Sequence, residues 1–85
     1  MNFTLSEHAK AEMTRRQIAL MWVQSIMQAP EQIVPGTNSR RVYQSRIEEE
    51  GAPYLVRLVV EEWHHPPLIV TAYRTSKIEK YWRKS

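Results

Sequence analysis

Residues 54–63, YLVRLVVEEW, constrain this chain more than any other stretch. Aliphatic and β-branched side chains dominate it, as a strand requires. Alternation puts Tyr54, Val56, Leu58 and Val60 on one side and Leu55, Arg57 and Val59 on the other. The purely apolar side must be covered by helices, and the mixed side carries one guanidinium in mid-strand. A sheet with one covered face and one partly open face follows. Upstream, RRVYQSRI reads as a strand that closes through an acidic turn into Gly51; downstream, a tight HHPP connection leads to LIVTAYRT. Consecutive strands with short links predict an antiparallel meander, with Ile33–Val34 a further short strand before Pro35–Gly36.

The helices lie outside this meander. Thr4-Leu5-Ser6-Glu7 reads as a capping box that starts a helix running to about Thr14, with Leu5, Ala9 and Met13 on its buried face. After a break near Arg15-Arg16-Gln17, Ile18, Met21, Trp22 and Ile26 predict a second helix, which Pro30 ends. Ser76-Lys77-Ile78-Glu79 is a second box before KIEKYWR, a helix too short to stand alone. The expected class is α+β: two N-terminal helices packed on a three- to four-stranded antiparallel sheet, with a short C-terminal helix. Eighty-five residues hold one domain, 1–85.

Composition narrows the chemistry. The chain has no cysteine, hence no disulfide and no thiolate metal site, and it has no aspartate. Its glutamate clusters, Glu48-Glu49-Glu50 and Glu61-Glu62, flank turns, where neighbouring side chains diverge. We therefore expect no metal and no cofactor. Ile18 to Val23, the longest apolar run, is too short to cross a bilayer, and no export segment is evident, so the expectation is a soluble, cytoplasmic protein without membrane contact.

Net charge is +3, unevenly spread. From Arg74 onward five cations face a single acid, Glu79, whereas residues 41–73 carry five glutamates against three arginines. Arg57 is costly to desolvate, so it must meet water, an acid or a ligand. One reading pairs it with a glutamate; the other makes its planar fork a phosphate clamp, with hydroxyls from Thr71 and Tyr73 on the next strand. His8 sits in a first helical turn, whose positive end favours the neutral imidazole that a general base needs; the alternative is that it packs against Phe3. His64-His65 are adjacent turn residues and a poor metal pair. The tail interleaves cations with Tyr73, Tyr81 and Trp82, which suits single-stranded nucleic acid. The same aromatics also make the apolar face of a small helix.

His8-Ala9, Arg16 before the second helix, YLVRLVV and VTAYRTSKIEKYW together resemble a small, poorly characterised bacterial family placed with RelE-like toxins, in the barnase, EndoU, colicin and RelE ribonuclease grouping. The likeness spans nearly the whole chain; RRQI carries glutamine where that pattern has glycine. It implies a metal-independent endoribonuclease, the toxin of a toxin–antitoxin pair, in which the ribose 2′-hydroxyl attacks its own phosphodiester. Carried over, His8 is base or acid, Arg57 stabilises charge, and Thr71 or Tyr73 orients the phosphate. Arg41, Arg74, Lys77 and Lys80 are the cations expected to hold RNA. Expected partners are RNA and an antitoxin or other protein, with a homodimer an option. The rival is a non-catalytic interaction module that binds a partner, or itself, through the open sheet face.

Overall fold

A computed structural model describes residues 2–84, and its elements run β1 (Thr4–Leu5), α1 (Glu7–Arg15), α2 (Leu20–Gln28), β2 (Gln32–Pro35), β3 (Arg41–Glu49), β4 (Ala52–Glu61), β5 (Leu68–Thr75) and α3 (Ile78–Tyr81). The strands form one five-stranded sheet in the order β1-β5-β4-β3-β2. The meander β2-β3-β4-β5 is antiparallel, as the short links demand, and β4 is central. The fifth strand, β1, was not expected: Thr4 and Leu5 pair in parallel with Leu68 and Ile69, which makes the sheet mixed. The residues read as a helix cap therefore belong to the sheet. The cap itself is Ser6, whose Oγ accepts from the Ala9 amide at 2.9 Å and donates to the Val70 carbonyl at 2.7 Å, tying α1 to β5.

Two backbone devices set the register. Glu50 and Gly51 both take positive φ, 52° and 80°, so the two-residue loop between Glu49 and Ala52 twists with its flanking strands. A bulge between Val59 and Val60 shifts the pairing with β5, so that Val59 faces Thr71 but Val60 faces Ile69. The extra residue changes the phase of β5. Simple alternation separates Ile69 from Ala72, yet both are fully buried in the same core.

That core lies between the sheet and the two long helices. Val56, Leu58, Val60, Ile69 and Ala72 pack against Ala9, Ile18, Val23, Ile26 and Met27. In α2 the buried stripe is Val23, Ile26 and Met27, not the expected Met21, which is 73% exposed. The helix begins at Leu20 rather than Ile18, and at about 100° per residue Met21 points roughly opposite Val23. The last helix is shorter than KIEKYWR. It covers only Ile78–Tyr81, is preceded by Lys77 without a side-chain cap, and gives way to extended backbone at Trp82.

The stop of α1 is a Schellman turn: the Ile18 amide donates to the Met13 carbonyl (2.8 Å) and the Gln17 amide to Thr14 (3.3 Å). Gln17 occupies the left-handed position at φ 55°, where glycine is unstrained. Substituting Gln17→Gly therefore relieves a left-handed side-chain penalty of about 1 kcal/mol. Urea denaturation should show a raised midpoint with an unchanged slope.

Candidate functional site

The second face of the sheet is built around four register partners. Gln32 on β2 lies opposite Gln44 on β3, Gln44 opposite Arg57 on β4, and Arg57 opposite Tyr73 on β5. Direct pairing puts all four side chains on one line across the sheet, and they join into a hydrogen-bonded row. Gln44 Nε2 donates to Gln32 Oε1 (2.8 Å), Arg57 Nε donates to Gln44 Oε1 (2.8 Å), and an Arg57 terminal nitrogen donates to the Tyr73 hydroxyl. Gln44 is fully buried and Arg57 is 9% exposed.

Residues 77–84 cross this row like a strap. Gln44 Nε2 also donates to the Tyr81 carbonyl (3.3 Å), Gln32 Nε2 to the Arg83 carbonyl (2.6 Å), and the Arg83 amide to Gln32 Oε1 (3.1 Å). Tyr81 lays its ring 4.3 Å from the Arg57 guanidinium carbon and meets the Tyr73 ring edge-on at 6.1 Å; Trp82 stacks on Arg46 at 4.2 Å. A second guanidinium, Arg16, also approaches Tyr73, 6.0 Å from the ring centroid and held by Glu12 at 2.9 Å.

Arg57 is thus a nearly buried cation with neutral partners. Among the described residues its guanidinium has no ion pair, whereas Arg15, Arg16, Arg40, Arg41, Arg46 and Arg74 each hold a glutamate. An amide oxygen, a hydroxyl and two aromatic faces offset part of the desolvation cost, and they leave the charge itself uncompensated. An anion that reached this guanidinium would supply the charge its present partners lack.

Of the residues singled out in the sequence, the structure brings Arg57 and Tyr73 into contact and sets Thr71 on the same face, opposite Val59. His8 is exposed in the first turn of α1. This helix runs alongside β5, from the Ser6–Val70 contact to the Gln17 carbonyl that accepts from Arg74. His8 thus lies toward the Thr71 end and Arg16 toward the Tyr73 end, about 12 Å apart along the helix axis. Lys77 and Lys80 are exposed on the strap. Arg41 is committed elsewhere, doubly bonded to Glu62 at 2.7 and 3.0 Å. Arg74 turns to the helix face between Tyr54 (4.1 Å) and Trp22 (5.4 Å) and pairs with Glu49. Gln44 and Gln32 escaped sequence reasoning, whereas Tyr81 was read as a tail aromatic without its place over Arg57. The signal available was glutamine in mid-strand, which becomes informative only once register places it opposite Arg57.

Among the described residues no three His, Asp or Glu side chains gather to hold a metal ion, and no helix is long and apolar enough to cross a membrane. A family model described as a domain of unknown function, DUF4258, matches residues 5–74. No curated protein and no solved structure matches the chain.

Replacing Gln44 by leucine keeps the volume but leaves the Arg57 Nε–H buried without an acceptor. We expect a loss of about 1–3 kcal/mol, read from the denaturation midpoint. A second expectation concerns acid. The Arg15 and Arg16 guanidinium groups pull Glu12 from 4.5 down to about 2, and Arg46 and Arg41 lower Glu31 and Glu62 in the same sense. Carboxylates depressed in the folded state stabilise it above the unfolded value, and that contribution disappears as pH falls through the folded one. The thermal midpoint should therefore drop between about pH 4.5 and pH 2, and Glu12→Gln should flatten the drop.

Proposed function

We propose that this chain, which belongs to the DUF4258 family, is a metal-independent endoribonuclease of the RelE-like kind and acts as the toxin of a toxin–antitoxin pair. One observation carries the reading: Arg57 is buried with only neutral partners, beside Tyr73, whose ring a second arginine, Arg16, also approaches. Such a cluster suits a phosphodiester whose charge grows as the 2′-hydroxyl attacks. Preorganised donors of this kind supply the largest share of many rate enhancements, because they need no rearrangement when the charge develops.

In this mechanism Arg57 and Arg16 bind the non-bridging phosphate oxygens, and Tyr73 donates its hydroxyl to one of them. Thr71 extends the donor line along β5. His8, at the Thr71 end of α1, takes the 2′-hydroxyl proton or returns one to the departing 5′-oxygen. Attack forms the bond from the 2′-oxygen to phosphorus and breaks the bond to the 5′-oxygen, leaving a 2′,3′-cyclic phosphate and a free 5′-hydroxyl. Lys77 and Lys80 follow the backbone beyond the scissile group.

A second reading rests on its own observation. Tyr81 and the backbone of residues 81–83 already lie over Arg57, as they would in a non-catalytic module whose arginine serves only to anchor its own strap. Cleavage of single-stranded RNA in excess EDTA separates the two. The wild-type chain should leave cyclic-phosphate ends. His8→Ala, at an exposed position, should keep the thermal midpoint and lose about 100-fold in rate or more. Tyr73→Phe should lose about as much through the missing donor. Absence of cleavage by the wild type, together with RNA binding indifferent to salt, would establish the module instead.

A further inference from the structure

The strap that crosses the second face is held in an unusual way. Its polar anchors on the row are two glutamine side chains, Gln32 and Gln44, its rings stack on two arginines, Tyr81 also meets Tyr73 edge-on, and its first amide, Lys77, donates to the Thr75 hydroxyl. Its helix is a single turn in which no residue is buried. One turn has no stability of its own, so the strap stays down only by these contacts. The charge pattern works against them. Lys77, Lys80, Arg83 and Lys84 oppose one acid, Glu79, which pairs loosely with Lys84 at 3.7 Å where both side chains are more than four-fifths exposed. A cationic segment is therefore laid over Arg57, a cation without a counter-charge, while Arg46 beneath Trp82 is already paired with Glu31.

Removing the strap would leave intact what holds Arg57 in place. Gln44 Oε1, the Tyr73 hydroxyl and the strand backbone all belong to the sheet, and Arg16 stands on α1. The strap contributes the Tyr81 ring and the cover. It is a single turn and an extended tail tied at a few points, whereas β4 and β5 are paired along their length and open only with the core. Leu55, fully buried on this face, marks the apolar floor that keeps the strap from floating free.

We propose that residues 77–84 are a displaceable cover over the Arg57 site, shut in the free protein and lifted by the RNA backbone. This rests on the anion-binding reading given above. RNA phosphates supply the counter-charge that Arg57 lacks and at the same time neutralise the strap's lysines, so one ligand relieves both repulsions. In the lifted position Lys77 and Lys80 face the ligand from the opposite side, and the strap passes from lid to clamp.

The chain has no cysteine, which permits an unambiguous lock. The double variant Gln32→Cys with Arg83→Cys replaces the contact that pins the strap to β2, and a short bismaleimide can join the two thiols. Binding of a fluorescent single-stranded RNA oligonucleotide is then compared before and after linking. The unlinked form should bind at least tenfold more tightly than the linked one. Equal affinity in the two forms, with RNA bound, overturns the cover and leaves the anion site standing. No salt-sensitive binding in either form overturns both. An independent measurement uses the wild-type chain: the amides of Lys80, Trp82 and Arg83 should exchange with solvent hydrogen at least a hundredfold faster than those of Arg57 and Leu58. Equal protection would mean that the strap opens only with global unfolding, and the proposal would fall.

Discussion

Everything on the second face depends on how one guanidinium is kept inside the sheet. Arg57 sits in the central strand with an apolar neighbour on either side in sequence, and its own backbone groups are consumed by β3 and β5. As long as that register holds, its side chain starts from this face of the sheet. Gln44 meets it with a carbonyl oxygen, and the Gln44 amide nitrogen then turns outward to Gln32 and Tyr81. An amide suits this position where a carboxylate does not: it accepts on one side and donates on the other. A glutamate in place of Gln44 would neutralise Arg57 and have no proton for Gln32 or the Tyr81 carbonyl. The glutamine thus transmits a hydrogen-bond polarity across four strands and leaves the positive charge unspent.

The strap closes that row from above, and its chemistry explains why the sheet face needs no third layer of ordinary core. Tyr81 and Trp82 present flat rings to Arg57 and Arg46, which lets aromatic surface be buried against cations rather than against aliphatic groups. Such contacts stack without interlocking. On the helix side, by contrast, Val23, Ile26 and Met27 interdigitate with Val56, Leu58 and Val60 in a closed core. The two faces of one sheet therefore differ in how firmly they are covered, and the less firmly covered one carries the uncompensated charge.

Much of this arrangement was legible in the sequence. Strand alternation in YLVRLVV and LIVTAYRT placed Arg57, Thr71 and Tyr73 on one side, and the bulge, falling beyond Thr71, left that grouping intact while moving Ile69 into the core. The two long helices and the four meander strands were readable from periodicity and turn residues. What escaped depends on partners distant in sequence. Thr4 and Leu5 become a strand only because Leu68 and Ile69 offer an edge, and this pairing defeats a local capping signal. The Arg41 and Arg74 charges look available to nucleic acid until Glu62 and Glu49 are folded against them. Gln44 looks like any polar residue of a half-exposed strand until it is paired opposite Arg57.

The shortness of β1 ties these observations together. It covers β5 only at Leu68 and Ile69, so from the bulge onward the outer border of β5 is flanked by α1 instead of another strand. A helix beside an edge can reach over it with long side chains, as a paired strand cannot. Arg16 does this, approaching Tyr73 from the helix side while Glu12 fixes its direction. His8 stands on the same helix at the other end of that border. A longer β1 would have sealed the edge and confined the site to Arg57 under its strap. Two residues of strand followed at once by a helix leave a border over which Arg16 reaches the ring of Tyr73, so that the helix layer and the second face of the sheet meet at this one edge.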